Sequence, residues 1–322
     1  MVKSLRLLLT WLILVSFCTP AHAIWVWTPE SNKWENPKFT VKETPKAQLD
    51  FAIKYFERRD FKRATAELNK LIKHYPKARE AAEAHYYLAM IQEKQGKLFE
   101  AFKAYQTVIE KYPFSERAGE IVKRQYDIGQ QLMEGKGRKS KVVSTVVGGE
   151  YDVVEVFRTV IKNAPYGEYA APAQYKIGLY LLGKEMYLEA RDEFEKTMND
   201  YPDSEWAKAA RYQSAMADAR RSSGVQYDQK VLESAVKEFD EFVKQYPEAE
   251  LSENAQKEAR ALREKEAEKK FLVAKFYVKQ GKYQAAKLYL TKIVDDYRNT
   301  SWASKALTEI REINRRYLHD EK

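Results

Sequence analysis

A small residue, then a bulky one four positions on, then a proline, recurs along this chain at a spacing that only paired helices explain. The pairs are Ala64 and Leu68, Ala101 and Tyr105, Val153 and Phe157, Ala190 and Phe194, Ala235 and Phe239, and Ala286 and Leu290. The closing prolines are Pro76, Pro113, Pro165, Pro202 and Pro247; the sixth unit ends at Tyr297-Arg298 without one. Five residues before each small residue falls an expected turn, at Arg59, Gly96, Gly148, Glu185, Lys230 and Gly281. Seven residues before the turn a second small residue stands in four units: Ala52, Ala89, Gly178 and Ala274. Small side chains on both helices let two backbones approach, and the bulky residue one turn later fills the groove beside them. Proline ends the second helix because it has no N–H and disfavours helix in the residue before it.

A hairpin of this kind cannot bury its own apolar face, so neighbours must stack. The proline intervals 76–113 and 165–202 are both 37 residues, close to the 34 of a tetratricopeptide unit, and the longer intervals are expected to hold insertions. The fold class expected is therefore all-α, a tetratricopeptide-repeat superhelix of about six helical hairpins plus a C-terminal capping helix. The hairpins are expected at 45–75, 80–112, 117–164, 169–201, 206–246 and 251–297. The cap, 301–318, should turn Trp302, Leu307, Ile310 and Ile313 inward. The expected division is 1–23 leader, 24–44 Trp-rich segment, 45–201 N-terminal repeats with a basic insertion at 134–150, and 202–318 C-terminal repeats. The latter contain one long helix at 251–280, whose charged centre "REKEAEKK" (263–270) should bridge packed layers.

The first 23 residues have a basic start, an apolar run from Leu5 to Phe17 and Ala-His-Ala at 21–23, the pattern of a secretory leader cleaved after Ala23. The single cysteine, Cys18, offers the alternative of lipid attachment. Phe17 stands before it, where lipoprotein processing wants a small residue, so ordinary cleavage is the expectation. Loss of Cys18 with the leader would exclude disulfides, thiolate metal sites and a cysteine nucleophile together. The net charge of +9 suits a solvated helical surface, including one near anionic lipid. The aromatic residues fall on core positions, which argues against nucleic-acid binding.

Tetratricopeptide arrays bind peptides on the surface of their first helices. Here that surface would include Ile53, Phe56, Tyr86, Met90, Tyr175, Leu179 and Leu182, either as a groove for extended client segments or as packing against neighbouring helices. "IWVWTPESNKWENPKF" (24–39) reads as a small β-hairpin. Its three tryptophans could meet a membrane interface or a partner, or fold back over the first repeat. Lys136, Arg138, Lys139 and Lys141 in the insertion could meet phospholipid head groups or an acidic partner, or form a solvated loop. Nothing resembles catalysis. His22 leaves with the leader, and His74, His85 and His319 lack neighbours at metal spacing. No Gly-x-Ser-x-Gly or His-Glu-x-x-His occurs, and "GKGRKS" lacks the ending of a phosphate loop. No cofactor is expected.

"YPFSERAGE", "AVKEFDEFVKQYPEAELSENA" and the long helix running into "AKFYVKQGKYQAAKLYLTKIVDDY" make the chain similar to the BamD family of outer-membrane assembly factors over roughly residues 45–315. The resemblance implies a non-enzymatic subunit on the periplasmic side of the outer membrane. It would dock a barrel-inserting (BamA-like) partner, alongside other assembly subunits, through its C-terminal repeats. Its N-terminal repeats would receive unfolded outer-membrane protein clients. The chain departs from the family in its poor lipid-attachment box and in having six hairpins where five are usual. A periplasmic adaptor of another envelope system, Tol–Pal or cell-wall coordination, is the alternative.

Overall fold

The computed structural model describes residues 25–28, 32–36, 40–136, 151–222 and 229–317. Cys18, the leader, Gly148 and most of the 134–150 insertion lie outside the described residues. Two short strands, β1 (Val26–Thr28) and β2 (Lys33–Glu35), come first. Thirteen helices follow among the described residues: α1 (Pro45–Glu57), α2 (Phe61–His74), α3 (Arg79–Lys94), α4 (Leu98–Lys111), α5 (Ala118–Met133), α6 (Tyr151–Asn163), α7 (Ala170–Gly183), α8 (Tyr187–Asp200), α9 (Glu205–Ser222), α10 (Gln229–Gln245), α11 (Glu250–Lys279), α12 (Tyr283–Asp296) and α13 (Ser301–Tyr317). Each helix packs on the next in sequence, so the chain is an all-α tetratricopeptide stack of six antiparallel hairpins closed by α13.

The six small residues and the six bulky ones that define the sequence period are all buried, every one at 0–1% exposure. The partner on the first helix is Ala52, Ala89, Gly178 or Ala274, each buried, and the structure supplies Gly129 in the third hairpin. A Cβ added to Gly178 would lie 2.5 Å from the Phe194 ring, and one on Gly129 would lie 2.7 Å from the Phe157 ring. These rings therefore sit directly on bare helix backbone. Three residues before the small position stands an aromatic that meets the same bulky residue edge-on or tilted: Tyr86 with Tyr105, Tyr126 with Phe157, Tyr175 with Phe194. The fifth hairpin repeats the contact with Tyr212 and Phe239, which puts Ala215 at its small position.

The turns inside the hairpins share one construction. Arg59, Gly96, Gly135, Glu185 and Gly281 adopt φ between 60° and 81°. The N–H of the next residue reaches back to the carbonyl five positions earlier, as in Asp60 to Tyr55 at 2.9 Å and Met186 to Leu181 at 3.0 Å, a left-handed helix ending that satisfies orphan carbonyls. Two of these positions carry side chains where glycine is at no disadvantage. Between hairpins a second turn recurs, with the N–H of Ala78, Ser115, Gly167, Ser204, Ala249 and Thr300 donating to the carbonyl three residues back. Thr300 keeps this geometry without a preceding proline.

Three expectations need correction. Lys230 lies in the first turn of α10 rather than at a turn, because α10 already begins at Gln229. In the third hairpin the left-handed ending of α5 falls at Gly135, inside the 134–150 insertion. Leu307 of the cap is 41% exposed, and Ala306 takes the buried position beside it with Ala303 and Ile313. The tryptophans do not cover the first repeat: Trp25, Trp27 and Trp34 are 58%, 46% and 66% exposed.

Gly178→Ala, Ala101→Leu and Ala190→Leu each overfill a closed crossing and are expected to destabilise by about 1–3 kcal/mol in denaturant unfolding. Gly183, whose added Cβ meets nothing within 4 Å, is the matched control and should tolerate alanine without loss. Glu185→Gly releases a side chain from the left-handed region and is expected to stabilise by about 1 kcal/mol. Equal unfolding midpoints for Gly178→Ala and Gly183→Ala would refute this account of the crossings.

Candidate functional site

First helices touch one another along the stack, α1 with α3, α7 with α9, α9 with α11 and α11 with α13. Among second helices the corresponding contact is α4 with α6. The first helices thus form the more closely spaced, inner layer, where a superhelix presents its concave surface.

The seven residues expected on that surface divide in two. Tyr86 (3% exposed), Leu182 (5%) and Tyr175 (8%) are core residues, which corrects their assignment to an open groove. Tyr175 stacks between Phe194 at 5.7 Å and Trp206 at 5.2 Å, on two different helices. Ile53, Phe56, Met90 and Leu179 are half-buried and pack against the cores of their own hairpins. Phe56 meets Tyr87 edge-on at 5.1 Å and has Lys94 over its ring at 5.8 Å. What the inner face of the N-terminal hairpins offers is therefore a mixed, half-buried surface of aliphatic and aromatic edges, with Lys94 above the Phe56 ring.

Tyr86 belongs to a polar network that joins the second and third hairpins. Its hydroxyl donates to Glu120 and accepts from Arg124 Nε at 3.0 Å. Arg124 also reaches Glu93 at 3.2 Å, which accepts from the Tyr105 hydroxyl at 2.7 Å. Arg117 forks onto Glu83 at 3.0 to 3.2 Å, reaches Glu120 at 2.9 Å and lies 4.9 Å from the centre of the Tyr86 ring. Burial, with the hydrogen bond to Glu120, pushes the Tyr86 hydroxyl up to about 12. Burial and the Glu93 carboxylate hold the Tyr105 hydroxyl well above its ordinary range. For Glu120 burial works the other way, but hydrogen bonds from Tyr86, Arg117 and Arg124 outweigh it and hold its carboxyl below the usual value. Both tyrosines stay protonated donors, and both arginines are engaged by carboxylates. The arrangement clamps two repeats together; it has no spare base or nucleophile.

The C-terminal half presents something different. On α11, Ala267 and Ala274 are buried against α12 and α13, while Leu272 and Phe276 are 59% and 58% exposed and Val273 39% exposed. Lys265, Lys269, Leu272, Phe276 and Lys279 follow at intervals of four, three, four and three, one face of the helix with lysines at both ends of an apolar centre. This face carried no signal in the sequence period, which marks only the buried side. Among the described residues there is no cluster of three metal-ligating side chains, and no helix is long and apolar enough to cross a membrane.

Comparison with known proteins matches two separate parts of the chain. A family described as outer membrane lipoprotein (YfiO) matches residues 165–321, and a tetratricopeptide-repeat model matches residues 49–116. The outer membrane protein assembly factor BamD of Caulobacter vibrioides is 24% identical over 160 residues, 50% of this chain and 52% of that protein. The chain thus spans about half the length of this curated relative. Among solved structures, a tetratricopeptide repeat protein from Parabacteroides merdae is 16% identical, with 84% of this chain and 99% of that one covered and a TM-score of 0.36. The C-terminal part of a repeat protein from Cytophaga hutchinsonii is 15% identical, covering 82% and 88% with a TM-score of 0.38. The C-terminal half of the chain resembles outer-membrane lipoproteins of the assembly-factor type, and its N-terminal part matches tetratricopeptide repeats.

The network yields a pH test. A carboxyl whose folded value is depressed stabilises above its unfolded value and loses that contribution as pH falls through the folded one. Glu120→Gln should therefore lower the melting temperature at pH 7, and the gap to the parent protein should narrow as the pH is taken below the carboxylate range. A gap independent of pH would mean that Glu120 is not held ionised by the two arginines.

Proposed function

We propose that this protein is a periplasmic scaffold of the outer-membrane β-barrel assembly machinery. It docks a barrel-inserting, BamA-like partner on the inner face of its C-terminal hairpins and receives unfolded outer-membrane protein segments on the N-terminal ones. The observation that carries the reading is the coincidence of two things on residues 165–321: the outer membrane lipoprotein family match and the lysine-flanked apolar face of α11. An exposed Leu-Val-Phe centre with a polar rim is the composition of a partner-binding patch, in which a few apolar anchors supply most of the affinity. The half-buried side chains Ile53, Phe56, Met90 and Leu179 suit the looser task. Shallow apolar edges hold many extended segments weakly and discriminate little among them. Lys94, above the Phe56 ring, adds attraction to carboxylates without fixing register.

The test is site-specific photocrosslinking in intact cell envelopes, with the crosslinker at Phe276 on the inner face and, for comparison, at Leu288 of α12, which is 62% exposed. The barrel-inserting protein is expected to be captured from Phe276 in preference to Leu288. Leu272→Glu with Phe276→Glu should abolish its co-purification while leaving the melting curve unchanged, since neither side chain is buried. Capture of Pal-like or peptidoglycan-binding proteins alone would overturn the assignment and place the scaffold in the alternative envelope system.

A further inference from the structure

The N-terminal ribbon has a use that the scaffold reading does not absorb. Trp27 pairs directly with Trp34 across the two strands, and Val26 pairs with Glu35. Side chains alternate along a strand, so Trp25 and Trp27 share a face, and Trp34 lies opposite Trp27 on that same face. One side of the ribbon is thus built of three indoles, all roughly half exposed or more. An indole has a large apolar ring and one N–H that needs a partner, and its lowest-energy place is the boundary between hydrocarbon and water.

The charge of the chain is concentrated beside this ribbon. From Thr40 to Arg79 there are eleven Lys and Arg against five Asp and Glu, a net +6 out of +9. Ten of those eleven cations are exposed; Lys70, which pairs with Glu67, is half-buried. Residues 40–42, just before the repeats, are fastened onto this basic hairpin. The Lys42 N–H donates to Gln48 Oε1 at 2.9 Å, the Tyr75 hydroxyl to the Lys42 carbonyl at 2.7 Å, and Lys70 Nζ to the Thr40 carbonyl at 3.4 Å. An indole face and a cationic hairpin close to it in sequence match the two layers of a lipid surface: the carbonyl boundary for the rings and anionic phosphates for the lysines and arginines.

We propose that the tryptophan face of β1–β2 is a membrane-surface anchor, which inserts into the interface of a bilayer containing anionic phospholipid and holds the basic first hairpin against it. The test is flotation of the processed full-length protein with vesicles of phosphatidylethanolamine and phosphatidylglycerol, and with phosphatidylcholine vesicles as the uncharged case. Binding is expected to the anionic vesicles, weaker by about tenfold or more on phosphatidylcholine or at high salt. Vesicles carrying brominated acyl chains should quench the tryptophan fluorescence, and Trp25→Ala with Trp27→Ala and Trp34→Ala should remove both binding and quenching. These side chains are outside the helical cores, so the triple variant should melt as the parent does.

Equal vesicle binding by parent and triple variant would overturn the proposal, as would absence of binding by the parent. So would concentration-dependent self-association or capture of a protein partner that the triple variant alone loses without any change on vesicles. None of these outcomes depends on whether Phe276 contacts the barrel-inserting partner, so failure here and failure of the scaffold reading are separable.

Discussion

The approach of two helix backbones, with an aromatic ring laid where a side chain would otherwise be, is the constraint from which the rest of this stack follows. At Gly178 and Gly129 there is no room for even a methyl group without displacing a phenylalanine ring. At the other crossings alanine fills the same place at 0–1% exposure. A close crossing buries the bulky residue of the second helix entirely, about 2–3 kcal/mol of transfer free energy for each large apolar side chain. It leaves the outer faces of both helices apolar and unburied, and those faces are what the next hairpin covers. Stacking is thus a consequence of the crossing, and the superhelix a consequence of stacking.

Close crossings also force polar groups inward, and the same answer is reached twice. Gln48 lies four residues before Ala52, and its amide donates to the Glu67 carbonyl at 3.0 Å and the Glu67 carboxylate at 2.9 Å. Gln174, four before Gly178, does the same to Glu193 at 3.4 and 2.6 Å. Gln125, four before Gly129, instead joins Gln106 and Asn163, which ties α4, α5 and α6. The buried carboxylate of Asp218 is held between Arg191 of α8 and Arg221. Burial still raises its affinity for a proton, and the two arginines offset that only in part. The two glutamine–glutamate bridges join the helices of one hairpin and the other two join neighbouring hairpins; all use groups whose burial would be costly if unpaired, so they fix which helix faces which more than they add stability.

How much of this was legible in the sequence depends on whether a feature belongs to the period. The six small–bulky pairs and the ends of the hairpins were, because close packing leaves no freedom at those positions. Gly129 was not: the spacing placed its turn at Gly148, and it stands six residues, not seven, before the left-handed Gly135. Leu307 was placed inward because it is apolar, but the helical phase gives that place to Ala306. Of the groove candidates, the phase put Tyr86 and Tyr175 on first helices and could not tell their buried side from their open one. Their rings turn toward the facing aromatic, and Tyr86 ends in an ionic network whose partners lie 34 and 38 residues away. Long-range partnership of that kind leaves no local trace. The α11 face was missed for the converse reason: residues that pack against nothing in the chain obey no packing rule.

The long helix α11 shows why the two ends of the stack can have different tasks. Its first half gives Ala255, Ala259 and Leu262 to the core built by α9 and α10, and its second half gives Ala267 and Ala274 to the core built with α12 and α13. Between them the charged stretch is not idle. Arg263 pairs with Asp240 of α10, and Glu264 accepts from the Ser301 N–H at 2.7 Å and its hydroxyl at 2.9 Å, capping α13. Glu266 is buried beside Lys270 and Tyr297. One continuous helix, about 45 Å long for its 30 residues, therefore fuses the last two hairpins and the cap with no turn in which to bend. The N-terminal hairpins are joined by short turns and polar clamps instead. Continuity of one helix accumulates where the exposed apolar face of α11 lies, and cationic charge accumulates toward the other end of the sequence, close to the exposed indoles. A face on a single unbroken helix keeps its side chains in fixed register, whereas a surface assembled across several short turns does not.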